Sequence, residues 1–307
     1  MAADVQGDDC IIIGAGPAGL TAAIYLARFH LRIRLLDSGD SRAGWIPCTR
    51  NHAGYPDGIS GRDLLAAMLA QAEAYGAVRE AAKATAIERD GQEFVVRTPE
   101  RALVGRTVLL ATGVKNRRPD LPDDLHDAAL ARGLLRYCPI CDGYEVTDKR
   151  VGVVGTDDHG MKEALFLRGY TRDVTLISPE GGHRLDEACR AKLDDAGIAR
   201  VDGPCGGWAI EGDRLALDTA DGRMAFDSVY PAMGSDIRSE LAVAAGAKAS
   251  PDGCLEVDDH QRTSVPGLFA AGDVVKGLDQ ISNAMGQAGV AATTIRNLLD
   301  ERAPIRR

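Results

Sequence analysis

The chain has 307 residues, 45% of them hydrophobic and 26% charged, with a formal net charge of −9. That length suits two domains with full cores, because single cores stop growing near roughly 250–300 residues. The acidic balance argues against nucleic acid or an anionic membrane surface as general partners, and no apolar run reaches the roughly 18 residues of a membrane span.

The N-terminus, Met1–Asp9, is acidic and lacks the basic n-region of a secretory signal, so the cytoplasm is the expected location. Residues 10–13 (Cys-Ile-Ile-Ile) form a short apolar run before a Gly-rich turn, the pattern of a buried parallel strand. The spacing predicts a helix over 17–29 and a second strand over 31–36 that ends at Asp37. Such a β-α-β unit implies a right-handed crossover. A helix over 62–75 follows, then strands over 94–97 and 107–111, the latter ending in Ala111-Thr112-Gly113. Pro119 and Pro122 mark the exit from a first domain. Residues 151–154, a helix over about 160–169 and a strand over 173–177 repeat the β-α-β pattern, so the chain carries two copies of one nucleotide-binding architecture. Residues 268–275 read as a last strand returning to the first domain, and a closing helix covers roughly 283–299.

The first turn, Gly14-Ala15-Gly16-Pro17-Ala18-Gly19, directly follows a strand and opens a helix. Glycines there permit the tight turn, close approach of a diphosphate and helix–sheet packing. The helix N-terminus adds free N–H groups and partial positive charge. Asp37, about 20 residues further on, stands where an acidic residue bonds ribose hydroxyls. The turn does not by itself distinguish one dinucleotide from another.

Cys138-Pro139-Ile140-Cys141-Asp142-Gly143 is the sharpest motif. Cysteines at this spacing can form a disulfide at a turn or helix start, where a positive helix end favours one thiolate. Asp142 can exchange a proton with the departing thiol. A metal site would need a second Cys/His pair at ligand spacing, and none is present. The other five cysteines, Cys10, Cys48, Cys189, Cys205 and Cys254, are isolated and read as small buried apolar residues.

Taken together, CPICDG, the GAGPAG start, Ala111-Thr112-Gly113 and Ala270-Ala271-Gly272-Asp273 resemble the small, bacterial type of thioredoxin reductase. The resemblance covers nearly the whole chain. It implies an α/β fold of two Rossmann-like (β-β-α-β, three-layer) dinucleotide-binding domains, the second inserted in the first. The expected limits are 1–113 and 240–307 for an FAD domain, and 114–239 for a nicotinamide-type domain that carries the cysteine pair. A homodimer is also implied. So are roles: Cys141 as the thiolate against the flavin, Cys138 as the interchange thiol and Asp142 as the acid. Around FAD the resemblance places Gly14, Gly16, Pro17, Ala18 and Gly19, with Asp37, Arg42 and Ala84. It also places Ala111, Thr112 and Gly113 there, Gly272 and Asp273, and, near the flavin ring, Asn51, Gln280 and Ile281.

The second turn departs from the family. Gly155-Thr156-Asp157-Asp158-His159-Gly160 has Asp157 where the middle glycine should stand, and Ser178-Pro179-Glu180 replaces the basic cluster for a 2′-phosphate. Two carboxylates at the turn favour the helix start but oppose a diphosphate. The sequence therefore resembles a branch that lacks the NADPH fingerprint. Its expected chemistry is electron exchange between FAD, the Cys138/Cys141 pair and a thioredoxin-like protein or small dithiol/disulfide. The expected donor is not NADPH, and ferredoxin is one candidate. The competing readings are an O2-dependent dithiol oxidase and a degenerate flavoprotein sensor. Lys115, Arg117, Arg118, Arg132 and Arg136 form a basic cluster that suits an acidic protein donor.

Overall fold

The run Cys10–Ile13 is buried at every position because it lies inside a five-stranded parallel sheet. In spatial order the strands are Leu268–Ala270, Val108–Leu110, Cys10–Ile13, Ile33–Leu36 and Val78–Glu80. Strands covered on both faces read as near-continuous apolar runs. The computed structural model describes residues 7–306; most of the acidic stretch 1–9 lies outside them.

The Pro17–Arg28 helix crosses from the Cys10–Ile13 strand to the Ile33–Leu36 strand, and it packs on the closing Ile281–Arg302 helix. An antiparallel meander of Ala86–Asp90, Glu93–Arg97 and Ala102–Gly105 accompanies the parallel sheet. Ile11, Phe94, Val96, Leu110 and Leu268 meet in one core. The last strand is shorter than its apolar run suggests. It stops at Ala270, because Gly272 turns the backbone to a φ of +83° and Val275 bonds back to the Gly272 carbonyl.

The second half repeats the plan. Ala199–Val201, Val174–Ile177, Val151–Val154 and Ser228–Pro231 form a parallel sheet. Gly206–Glu211, Arg214–Thr219 and Gly222–Phe226 form its meander. The helix of this β-α-β repeat spans Asp157–Leu167, starting three residues before the apolar pattern suggests, because Thr156 sits at its N-cap and two acidic residues fill its first turn. Tyr230, Val153, Leu176 and Leu193 share the core.

By contact the chain divides into two units. The first runs to Ile46, then Ile59–Lys115, then from Ile237 onward; the second comprises Pro47–Gly58 and Asn116–Asp236. The segment Pro47–Gly58 thus groups with the second unit, although in sequence it lies inside the first domain. Among the described residues no helix is long and apolar enough to cross a membrane.

Candidate functional site

In the first unit, Gly14, Asp37, Ala111 and Ala271 each directly follow the C-terminal end of a strand in the parallel sheet. Ligands of such sheets bind outside those ends. Gly14 has a φ of +108°, and a Cβ on it would lie 2.3 Å from the Ala111 carbonyl oxygen. A Cβ on Gly19 would lie 1.8 Å from the Gly14 carbonyl oxygen. These two glycines are required by packing alone. Gly16 is different: the nearest atom to a Cβ there is Ser41 Oγ, at 3.3 Å. Pro17 and Ala18 open the helix, which has no side-chain N-cap, so its first amides face the Gly16 turn without a protein acceptor.

Around this turn the polar groups are few and fixed. Asp37 Oδ1 accepts from the Gly39 amide at 2.8 Å, and its Oδ2 accepts from Arg79 at 2.7 and 3.0 Å. Arg42 donates to Asp273 at 3.2 Å and to Asp279 at 3.0 Å. Burial, and then the neighbouring Asp279 charge, push the Asp273 carboxyl up to about 6, against the pull of Arg42. Thr112 Oγ1 donates to the Arg238 carbonyl at 2.6 Å. The Gly272 amide donates to Gln287 Oε1 at 2.8 Å. Gln280 caps the closing helix and Ile281 begins it. Ala84 is a buried core residue. Asn51 belongs to the second unit, where its Oδ1 accepts from Thr49 Oγ1 at 3.0 Å.

Sequence motifs gave no sign of Arg79, Asp279 or Gln287. Gln287 lies seven residues after Gln280, hence on the same helix face, and only the fold shows that this face meets Gly272.

In the second unit, Cys138 and Cys141 form a disulfide with a Cα–Cα distance of 5.2 Å. Pro139 starts the short Pro139–Asp142 helical turn, and Cys138 caps it. The Cys141 amide donates to the Cys138 carbonyl at 2.9 Å and lies 3.2 Å from Cys138 Sγ. Ile140, between the cysteines, is half exposed, and Tyr144 is 81% exposed. Asp142 is mostly buried. Its Oδ2 accepts from Arg136 at 2.9 Å and its Oδ1 from the Tyr230 hydroxyl at 2.9 Å. Burial raises the Asp142 carboxyl above its ordinary range, and Arg136 and Tyr230 oppose that rise. Tyr230 is missed by motif reading, because a tyrosine in an apolar strand looks like core.

The second Gly-rich turn is occupied by its own side chains. Asp157 takes a φ of +57°. Arg184 donates from Nε and Nη2 to the two Asp157 oxygens at 3.1 and 3.0 Å, and its amide donates to Thr156 Oγ1 at 3.1 Å. Ser178 is buried. Among the described residues no cluster of three His, Cys, Asp or Glu side chains is placed to hold a metal.

Two expectations change. Of the isolated cysteines, Cys10 alone is fully buried, its thiol pushed up to about 12 by desolvation; Cys48, Cys189, Cys205 and Cys254 are partly exposed. The arginines of the basic cluster are not open charges. Arg117 pairs with Asp236, Arg118 with Asp123, Arg132 with Asp213 and Arg136 with Asp142.

Residues 8–288 match the model of the pyridine nucleotide-disulphide oxidoreductase family. The chain is 33% identical to the thioredoxin reductase of Streptomyces coelicolor over 86% of its own length and 85% of that relative's. Its fold superposes on the crystal structure of thioredoxin reductase from Streptococcus pyogenes with a TM-score of 0.86 at 28% identity, covering 96% and 98% of the two chains. It also superposes on the crystal structure of HlmI with a TM-score of 0.87 at 32% identity, covering 96% and 94%. Thioredoxin reductases are FAD flavoproteins, and the first unit fits that cofactor: an uncapped helix start beside a Gly16 that leaves room for a diphosphate, with carboxylates at the neighbouring strand ends. The chain belongs to the pyridine nucleotide-disulphide oxidoreductase family and is a flavin-dependent thiol-disulfide oxidoreductase of the thioredoxin reductase type.

Proposed function

We propose that this enzyme passes electrons between FAD, the Cys138/Cys141 pair and a thioredoxin-like protein or small dithiol/disulfide, with a partner other than NADPH at the far end. The observation that carries the proposal is the pairing of a formed disulfide with a second nucleotide turn filled by Asp157 and Arg184. Gly14, Gly16, Pro17, Ala18 and Gly19 would cradle the FAD diphosphate. Asp37 would take the ribose, and Asp273, held by Arg42, the ribityl chain. Ala111, Thr112, Gly113 and Gly272 would line the cofactor, with Ala84 behind it. Asn51, Gln280 and Ile281 would meet the flavin ring. FAD supplies the two-electron couple that exchanges with the disulfide.

Two electrons and two protons open the disulfide to a dithiol. The Cys138 thiolate attacks a substrate disulfide, forming a mixed disulfide and releasing one substrate thiolate, which takes a proton. Cys141 then attacks Cys138, releasing the second substrate thiol and closing the ring. The Cys141 amide near Cys138 Sγ favours negative charge on that sulfur, which suits the attacking role. Asp142 holds and returns the proton. Exposed Ile140 and Tyr144 beside the disulfide offer an apolar contact to a protein substrate. The closed second turn equally suits the reverse direction, from a dithiol through the cysteines to O2. A homodimer in the cytoplasm is the assembly and location that go with this reading.

The two directions separate under anaerobic spectroscopy of the purified flavoprotein. NADPH is expected to leave the flavin oxidised at micromolar to millimolar levels, and rapid bleaching overturns the donor assignment. A dithiol is expected to bleach it. On admitting air, steady peroxide production marks an oxidase, and a flavin that stays reduced marks a reductase with a separate donor. Cys138→Ser and Cys141→Ser should each abolish dithiol-dependent turnover; full activity in both would refute the role of the pair. Four arginines of the basic cluster carry carboxylate partners, so the candidacy of an acidic ferredoxin rests on whether reduced ferredoxin bleaches the flavin.

A further inference from the structure

Tyr230 is fully buried, in the Ser228–Pro231 strand. Its hydroxyl has two acceptors, both on Asp142: the carboxylate Oδ1 at 2.9 Å and the main-chain carbonyl at 3.3 Å. Two residues earlier on the same strand face, Ser228 Oγ accepts from Arg136 Nε at 3.2 Å and donates to the Gly133 carbonyl at 2.6 Å. Arg136 Nε also donates to Gly133, and its Nη1 reaches Asp142 Oδ2 at 2.9 Å. One strand therefore fixes both oxygens of the carboxylate, one through Tyr230 and one through Ser228 and Arg136. Glu145 also faces the group, and its charge opposes ionisation of Asp142; Arg50 lies 4.0 Å from Glu145.

We propose that Tyr230 is a positioning residue that keeps Asp142 in place in both of its protonation states. While Asp142 is ionised, the hydroxyl donates to Oδ1. When Oδ1 carries the proton, the hydroxyl accepts from it and turns its own proton onto the Asp142 carbonyl. Arg136 stays on Oδ2 throughout. The proton is taken up and returned with no movement beyond rotation of one hydroxyl, so the carboxyl keeps its place between the two half-reactions. A phenylalanine would pack as well but could serve neither state. The inference rests on the reading of Asp142 as the proton-exchanging group beside Cys138 and Cys141.

The test uses the FAD-loaded enzyme and dithiothreitol. Anaerobic flavin bleaching is followed across pH, with each variant divided by the wild type at the same pH so that ionisation of the reagent cancels. Asp142→Asn should slow bleaching by about 100-fold, the low end for a lost general acid. Tyr230→Phe removes a hydrogen bond that is stronger to the ionised than to the neutral carboxyl, so protonation of Asp142 shifts to higher pH. Its ratio to wild type should fall about tenfold and vary with pH. In the Asp142→Asn background the same change should add almost nothing, whereas a structural role would cost the same in both. A flat ratio, or equal losses in the two backgrounds, overturns the positioning role. Wild-type rates in Asp142→Asn overturn the reading of Asp142 itself, a different failure. Should Tyr230→Phe not retain flavin, 3-fluorotyrosine at position 230 keeps the hydroxyl as a stronger donor. It should displace the limb to lower pH, and an unmoved limb sinks the proposal.

Discussion

At the first glycine-rich turn a Cβ on Gly19 would stand 1.8 Å from the Gly14 carbonyl oxygen; at the second, one on Gly160 would stand 2.8 Å from the Gly155 carbonyl carbon. Gly14 and Gly155 press on the next strand end in the same way, against the carbonyl oxygens of Ala111 at 2.3 Å and Ala232 at 2.7 Å. Both turns therefore retain the glycines that let a helix approach a strand. They differ in the middle, where Gly16 leaves room and Asp157 does not. A glycine that faces protein is held by packing whether or not a ligand binds. One that faces a ligand is held only by the ligand, and at Asp157 the chain has filled the position with a carboxylate and matched it with Arg184.

The largest expected effects test the shared half of that comparison. Gly19→Ala puts a methyl group into main-chain atoms that cannot yield, so it should destabilise by about 3 kcal/mol or more and yield little flavin-loaded protein. Gly160→Ala has more room and should cost about 1–3 kcal/mol. Thermal unfolding of both variants checks the order. If Gly160→Ala proves the worse, the second turn is the more tightly packed of the two and the comparison fails.

The middle position gives smaller effects with a sharper meaning. Gly16→Ala meets only Ser41 Oγ, so stability should change by about 0.5 kcal/mol or less. FAD retention on dilution should nevertheless fall, because the methyl group lies where the diphosphate must approach. Normal retention would argue that the diphosphate lies elsewhere. Asp157→Gly removes a left-handed non-glycine residue, a relief of about 1–2 kcal/mol. It also loses an exposed ion pair, which contributes little. Stability should rise slightly, and fluorescence titration should show tighter pyridine nucleotide binding than in the wild type. Silence in both proteins would mean that Ser178–Glu180 blocks the site independently of Asp157.

How much of this was legible in sequence follows the range of the interactions. The parallel strands, both Gly-rich turns and the disulfide are local patterns, and their residues lie together in the chain. The Asp157 substitution was visible for the same reason, but its partner was not: Arg184 is 27 positions away and sits in no motif. Tyr230 lies 88 positions from Asp142 and alternates with apolar neighbours as any core residue does. Asn51 was legible as a motif, yet its grouping with the second unit depends on long-range contacts around Pro47–Gly58. The basic cluster was legible as residues, but the carboxylates that pair with its arginines were not, because Asp213 and Asp236 lie far from Arg132 and Arg117 in the chain.

The smallest expected effect separates the two turns by pH. His183, beside Arg184, is buried, and its Nε2 lies 3.0 Å from the Val201 carbonyl oxygen. Desolvation holds its pKa below the ordinary 6.5. A depressed folded value means that the stability it contributes is present in full above 6.5, the ordinary value, and is lost as pH falls below it through the folded value. Protonation disfavours the buried ring and so loosens the loop that presents Arg184 to Asp157. His183→Gln, which keeps a donor but does not titrate, should flatten part of this acid loss. Buried His126, lowered in the same direction, leaves a residual slope. Amide exchange resolved along the chain should show 178–186 opening first on acidification in the wild type but not in the variant, while the Gly14 amide, bonded to the Leu36 carbonyl, stays protected in both. Equal loosening of the two turns would show that the acid sensitivity belongs to the whole chain rather than to the one that carries Asp157.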